Sequence, residues 1–240
     1  MDLLRSLIIW FFCLLYTLVL SIFSTPCSLL GFQNAAHIVA TIWGKGLVFF
    51  TGAKIEVENA ELLHRDGPIL VVSNHQSMYD IAVFYAFLNI QFRWMAKSSL
   101  FKLPIIGRAM KGSGYIPVDR EDPKNARASL FSAAERVRGG ASLIIFPEGT
   151  RNPDKTKMLP FKKGGFVLAK MAGVPIQPIT ILGAGDITPL QKENKIQRFY
   201  PGTVKVTIHN LILPEEIEKL EVEELSAKVR EIISSKLERG

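Results

Sequence analysis

Charge is missing from one long stretch: between Arg5 and Lys45 no aspartate, glutamate, lysine or arginine occurs. That excludes an ordinary solvated helix with one charged face there. Cysteine is almost as scarce. Cys13 and Cys27 are the only two, and both lie in the uncharged stretch. Two cysteines make no disulfide framework, and a cysteine-free remainder fits a reducing, cytoplasm-facing compartment. No CxxC or HExxH occurs, and His37, His64, His75 and His209 are scattered, so no metal is expected. Walker and dinucleotide glycine loops are missing, which leaves nucleotide chemistry without support. So is the Gly-x-Ser-x-Gly elbow, which argues against a serine hydrolase or thioesterase; Ser77 stands near His75 with no elbow around it. The chain has no RNA-binding signature, zinc finger or block of lysine and arginine. Its net charge of +7 therefore points to anionic lipid or a phosphorylated small molecule before nucleic acid.

What fills the uncharged stretch is apolar. Leu7 to Phe23 reads LIIWFFCLLYTLVLSIF, and a helix from Leu3 to Phe23 spans about 31 Å, close to the hydrocarbon thickness of a bilayer. A cleaved signal peptide fits poorly, with Arg5 the lone positive residue ahead and no A-x-A-like site behind. A transmembrane span and a helical hairpin dipping into one leaflet remain, and the hairpin is favoured. Ser24-Thr25-Pro26 breaks the first helix, and Leu29 to Thr51 follows with Gln33, Asn34, His37 and Lys45 among its apolar residues, which suits an interface. Trp10 and Trp43 are candidate interfacial anchors. Residues 1–51 thus form a membrane-associated helical pair, ahead of a globular unit at 52–240.

In that unit short apolar runs alternate with helical patterns. Strands are expected at Lys54–Val57, Ile69–Ser73, Arg93–Ala96, Gly114–Val118, Ser142–Phe146, Ile176–Ile181 and Val204–His209. Helices are expected near Tyr79–Leu88, Ile105–Lys111, Lys124–Arg138, Lys162–Met171 and Leu225–Leu237. The alternation predicts an α/β fold, a mostly parallel sheet flanked by helices, with ligands at the carboxyl ends of the strands.

Three strand exits carry chemistry. Asn74-His75-Gln76-Ser77-Met78-Tyr79-Asp80 follows the first apolar strand of the unit's centre. Five residues turn an ideal helix through about 500°, leaving the side chains of His75 and Asp80 roughly 140° apart. They meet only if His75 lies in the loop and Asp80 in the first helical turn. A histidine held by a carboxylate is a poised general base, because the carboxylate fixes the tautomer and offsets the charge of the imidazolium. Phe146-Pro147-Glu148-Gly149-Thr150-Arg151 ends another strand. Gly149 permits close backbone approach or positive φ, Arg151 can grip a phosphate bidentately, and Lys162 and Lys163 add cations at a helix start. The third exit runs from Lys97 to Asp119-Arg120. Side by side, these exits gather one base and several cations, a site for an anionic acceptor bearing a hydroxyl.

These blocks resemble the glycerolipid acyltransferase family, and within it the 1-acylglycerol-3-phosphate O-acyltransferases. The N-H-x4-D block is Asn74-His75 with Asp80. The Gly-x-Ile-x-x-Asp-Arg block runs from Gly114 to Arg120, the Phe-Pro-Glu-Gly-Thr-Arg block is residues 146–151, and Val-Pro-Ile-x-Pro is residues 174–178, all in the family's order. The resemblance implies a glycerol-3-phosphate acyltransferase-like fold and an N-terminal membrane-docking helical pair. It implies acyl transfer from acyl-CoA or acyl-carrier protein, as co-substrate and with no cofactor, to the 2-hydroxyl of lysophosphatidic acid. His75 and Asp80 are implied as catalytic, and Arg120, Glu148, Gly149 and Arg151 as the seat of the acceptor, with Lys97, Thr150, Lys162 and Lys163 beside them. Glu148 is expected to orient donors more than to touch the phosphate, since two anions repel. The expected location is a membrane, with the active site facing the cytoplasm, as in a bacterial inner membrane. Glycerol-3-phosphate or another lyso-lipid as acceptor, and a non-enzymatic lipid-binding membrane protein, stand as alternatives.

Overall fold

The computed structural model describes residues 2–103, 106–118, 123–152, 154, 156–190 and 196–237. The chain opens with two long helices, α1 (Asp2–Leu29) and α2 (Gln33–Thr51). Then come β1 (Lys54–Glu58), β2 (Leu70–Ser73), α3 (Tyr79–Phe87), β3 (Phe92–Lys97), α4 (Ile106–Gly112), β4 (Ile116–Val118), α5 (Pro123–Arg138) and β5 (Ser142–Ile145). The last part holds α6 (Gly164–Ala172), β6 (Ile176–Leu182), α7 (Ala184–Ile187), β7 (Thr203–Ile208), α8 (Pro214–Lys219) and α9 (Val222–Leu237).

All seven expected strands form, within a residue or two at their ends. They pair in the order β1-β7-β6-β2-β5-β3-β4. Every pairing is parallel except β6 with β7. Both faces of such a sheet are covered, so β2 and β5 are continuous buried apolar runs rather than alternating ones. One face packs on a core that includes Ala133 and Val137 of α5, Leu168 of α6 and Val229 of α9. The other packs on Ala82 and Phe84 of α3 and, through Trp43 and Leu47, on α2. Because β2 and β5 are parallel neighbours, the loops after Ser73 and Ile145 leave the same edge of the sheet side by side.

The N-terminal pair departs from expectation in one respect. Pro26 does not end the first helix; it lies inside α1, which continues to Leu29. A proline removes a single helical donor, and the ladder resumes with Leu30 N–H donating to the Pro26 carbonyl (2.9 Å). The reversal comes instead at Gly31, whose φ of +77° favours glycine. Leu3–Leu29 is long and apolar enough to cross a membrane, with a mean hydropathy of 2.4 and only 17% of its most apolar stretch buried. Its inner face is tied to the globular unit near both ends. Ser6 Oγ accepts from Phe199 N–H (3.0 Å), and the hydroxyls of Ser28 and Ser113 share a hydrogen bond (3.0 Å). The indoles of the pair turn inward as well. Trp10 Nε1 donates to the Gln197 carbonyl and Trp43 Nε1 to Thr17 Oγ1, both at 2.9 Å, so neither is an interfacial anchor reaching out with its N–H.

Far from this region, His209 Nε2 meets Thr180 Oγ1 at 2.8 Å on the β6–β7 pair. Burial, with Lys236 nearby, lowers the His209 pKa from 6.5 to about 4. The group is neutral in both folded and unfolded chains above pH 6.5. On acidification the unfolded chain takes up the proton first, so stability declines between pH 6.5 and about 4. Melting temperature followed against pH is expected to fall across that window, and His209→Gln, which keeps a hydrogen-bonding group there but cannot titrate, is expected to flatten the fall.

Candidate active site

His75 lies in the loop after β2 and Asp80 is the second residue of α3, the arrangement their spacing demands. Asp80 is fully buried. Its Oδ2 accepts from three donors at once: His75 Nδ1 (2.7 Å), Gln76 N–H (2.8 Å) and Ser77 N–H (3.0 Å). A carboxylate in a helix's first turn is favoured by the dipole and by the unpaired amides there. Here that local preference also fixes the imidazole. With Nδ1–H donating to Asp80, Nε2 is left as the basic nitrogen, and the ring keeps 14% of its side-chain surface open.

Two further features hold the ring. It stacks on Phe146 with centroids 4.0 Å apart and planes at 8°, and Phe146 in turn stacks on Trp94. The sequence pattern carries the strand through Phe146; in the fold it stops at Ile145, and the freed side chain serves as a platform. The backbone of His75 is held by Glu148, which is 4% exposed. Oε1 accepts from His75 N–H and Oε2 from Leu159 N–H, each at 2.9 Å. Burial pushes the Glu148 carboxyl above the ordinary range, while these donors pull it back. Both oxygens are thus committed to backbone. This matches an orienting role and leaves Glu148 no free oxygen to offer a substrate. Asn152 N–H closes the circle by donating to the His75 carbonyl (2.8 Å).

Glu148→Gln is expected to leave either the His75 or the Leu159 amide without an acceptor, at about 1–3 kcal/mol. Turnover is expected to fall roughly 10- to 100-fold, together with the melting temperature. Steady-state kinetics and a melting curve on the same preparation check both; wild-type turnover would remove Glu148 from the positioning of His75.

The other expected residues fall into place unevenly. Gly149 has φ +74°, and a Cβ there would lie 2.8 Å from Lys162 Cε, so glycine is needed for conformation and for space. Lys162 therefore lies over the Glu148–Gly149 turn. Lys163 forms an ion pair with Glu223 on α9 and is not brought to the site. Thr150 is exposed, and Lys97 is exposed at the end of β3. Asp119 and Arg120 lie outside the described residues. Sequence reasoning misses Asn74 as a brace. Its amide donates to the Ile181 carbonyl and accepts from Ile181 N–H, both at 2.8 Å, pinning the β2 exit to β6. Its place beside His75 is the available signal.

Next to this loop lies an apolar cavity of about 370 Å³. Its walls include Ser77 and Met78 from the loop after β2, Tyr79 at the start of α3, Arg151, and successive turns of α2 at Thr51, Leu47 and Trp43. Those three positions extend it along the helix by about 12 Å. From α1 come Trp10, Cys13, Leu14 and Thr17. A base, a cation and a slot for an alkyl chain thus share one edge.

A family model described as Acyltransferase matches residues 54–182, more than half of the chain, including His75, Asp80, Glu148 and Arg151. The chain belongs to the acyltransferase family. Among its relatives is a chloroplast 1-acyl-sn-glycerol-3-phosphate acyltransferase of Brassica napus, 37% identical over 179 residues. That alignment covers 73% of this chain and 50% of the relative, and the Arabidopsis thaliana counterpart is covered to 48%, so the chain spans about half the length of these plant relatives. The 1-acyl-sn-glycerol-3-phosphate acyltransferase of Borreliella burgdorferi is 30% identical over 192 residues, 80% of this chain and 74% of that one. The crystal structure of the 1-acyl-sn-glycerophosphate (LPA) acyltransferase PlsC from Thermotoga maritima superposes with a TM-score of 0.81 at 27% identity, covering 99% of this chain and 96% of that one. The likeness to PlsC therefore includes the two N-terminal helices as well as the sheet.

Proposed function

We propose that the protein transfers a fatty acyl group from an acyl thioester to the 2-hydroxyl of 1-acylglycerol-3-phosphate, forming phosphatidic acid. One observation carries the reading: the segment between the paired His75 and Asp80 supplies Ser77, Met78 and Tyr79 to the wall of an apolar cavity that Arg151 also lines. A soluble phosphate ester needs no such cavity, and a simple lipid-binding protein needs no oriented base. The activities for which these relatives are named point the same way.

His75 Nε2 takes the proton of the acceptor hydroxyl as its oxygen attacks the thioester carbonyl. The C–S bond breaks, and the proton leaves with the thiolate. The donor is already activated, so no acyl-enzyme is required. Asp80 holds the tautomer and offsets the charge that develops on the ring. Arg151 grips the acceptor phosphate, with Lys162 and Lys97 adding positive field, and Arg120 joins them on the strength of its motif alone. Gly149 and Thr150 shape the turn that presents Arg151. The cavity takes an acyl chain. Acyl-CoA and acyl-carrier protein are both accommodated by this chemistry.

The outer face of α1 is an exposed apolar stripe, with Leu4, Phe11, Leu18 and Ile22 each more than 60% open. Because α1 is fastened to the globular unit near both ends, it lies along one leaflet with the site facing the cytoplasm, as in a bacterial inner membrane.

The test is an acyl-transfer assay on detergent-solubilised protein with labelled lysophosphatidic acid and acyl-CoA, and in parallel acyl-carrier protein. Phosphatidic acid from lysophosphatidic acid, with no product from glycerol-3-phosphate, is the expected result. Product only from another lyso-lipid would move the acceptor, and release of free fatty acid without transfer would make the protein a hydrolase.

A further inference from the structure

At the opposite end of α2 from the catalytic edge, a second cavity of about 530 Å³ opens. The 19 residues of α2 put it about 27 Å along the helix from Thr51. Gln33, Asn34, Gln91, Arg93, Glu135 and Arg136 line it. Arg93 is 5% exposed. Its Nη groups donate to Gln91 Oε1, the Phe92 carbonyl and Asn34 Oδ1, all neutral acceptors. Its Nε–H meets no acceptor among the described residues. Arg136 donates to Gln33 Oε1, neutral again (3.2 Å). Neither arginine has a carboxylate partner among the described residues.

Two buried or half-buried guanidinium groups close enough to repel are costly without an anion between them. The acid on the described wall is Glu135, which is exposed. The start of α2 adds its positive dipole end, for it has no side-chain cap. Beside the cavity the α1–α2 turn exposes Leu29, Leu30 and Phe32. A cationic cup next to an apolar tip matches the two halves of a lipid.

We propose that this cavity binds the phosphate of an anionic phospholipid headgroup, a lipid site remote from His75 and independent of the acyl-transfer reading. A bound headgroup there ties the hairpin's turn to the membrane surface.

The test uses the full chain carrying His75→Ala, so that turnover does not enter. Sedimentation with phosphatidylcholine vesicles, with and without phosphatidylglycerol, is compared across three further substitutions. Arg136→Gln is expected to weaken binding to the anionic vesicles on the order of tenfold. Glu135→Gln is expected to strengthen it about threefold. Arg138→Gln removes the same charge from the same helix without touching the cavity, and is expected to change binding by less than about twofold. Equal losses in Arg136→Gln and Arg138→Gln would reduce the effect to general charge and overturn the proposal. A melting-temperature titration with inorganic phosphate separates the sources. Arg136→Gln losing a phosphate-induced rise while keeping vesicle affinity would assign the cavity to free phosphate and overturn the lipid site.

Discussion

Replacing His75 by alanine is expected to lower turnover by about three to four orders of magnitude, the upper part of what a positioned base supplies. Substrate affinity and melting temperature are expected to change little. The hydrogen bonds around the ring explain why these quantities part company. Asp80 Oδ2 keeps its two backbone donors, Gln76 and Ser77, when the imidazole is gone, so no buried carboxylate is stranded. Glu148 grips the His75 backbone amide, which alanine retains, so the loop stays pinned to the turn after β5. The ring itself contributes stacking on Phe146 and one hydrogen bond. Single-turnover rates, with vesicle or detergent binding measured alongside, check the prediction. A variant that keeps even a tenth of wild-type turnover would mean that another group takes the proton, and the assignment of His75 would fail.

Much of the fold and of the site is legible in the amino-acid sequence, for physical reasons that differ from element to element. The sheet is legible because strands buried on both faces read as unbroken apolar runs bounded by turn residues, as in Ile69–Val72 and Ser142–Ile145. The His75–Asp80 pairing is legible because its spacing has one workable geometry. α7 and α8 are not, since helices of four and six residues show no periodicity to read. The end of α1 is misread because proline punctuates strongly in sequence, whereas a single missing donor is tolerated when packing continues beyond it. Least legible are the residues that act on backbone. Asn74 and Glu148 bind amides and a carbonyl contributed by other segments, and nothing in a linear pattern says which amide a side chain will meet. Lys163 illustrates the converse. Its place in a cationic run suggests the site, but Glu223 on α9 holds it elsewhere.

The start of α3 and the N-terminal helical pair also share a joint that no motif announces. Tyr79 OH meets Thr51 Oγ1 at the last turn of α2, and Arg5 Nη2 donates to the Thr51 carbonyl (3.0 Å). Tyr79 is the residue before Asp80. The apolar cavity, the start of α3 and both ends of the N-terminal helical pair therefore meet within one cluster, and the packing of that pair and the ordering of His75 are coupled.

Asp80 allows charge to be separated from geometry. Because one oxygen, Oδ2, takes all three hydrogen bonds, an amide oxygen in the same place can keep all three. The other oxygen, Oδ1, has no donor among the described residues, so an amide nitrogen there breaks no existing bond. Asp80→Asn is therefore expected to fold with nearly the wild-type melting temperature, hold His75 in the same tautomer, and lose about 100-fold or more in turnover because the imidazolium goes uncompensated. Asp80→Ala is a different perturbation. It leaves the Gln76 and Ser77 amides without their acceptor at about 1–3 kcal/mol each, and it frees the imidazole to rotate. Its turnover is expected to fall further than that of Asp80→Asn, with a clear drop in melting temperature. If the two variants match in both rate and melting temperature, the hydrogen bonds contribute nothing beyond the carboxylate's charge. If Asp80→Asn keeps wild-type turnover, His75 works without a counter-charge and the pair is a structural cap on α3.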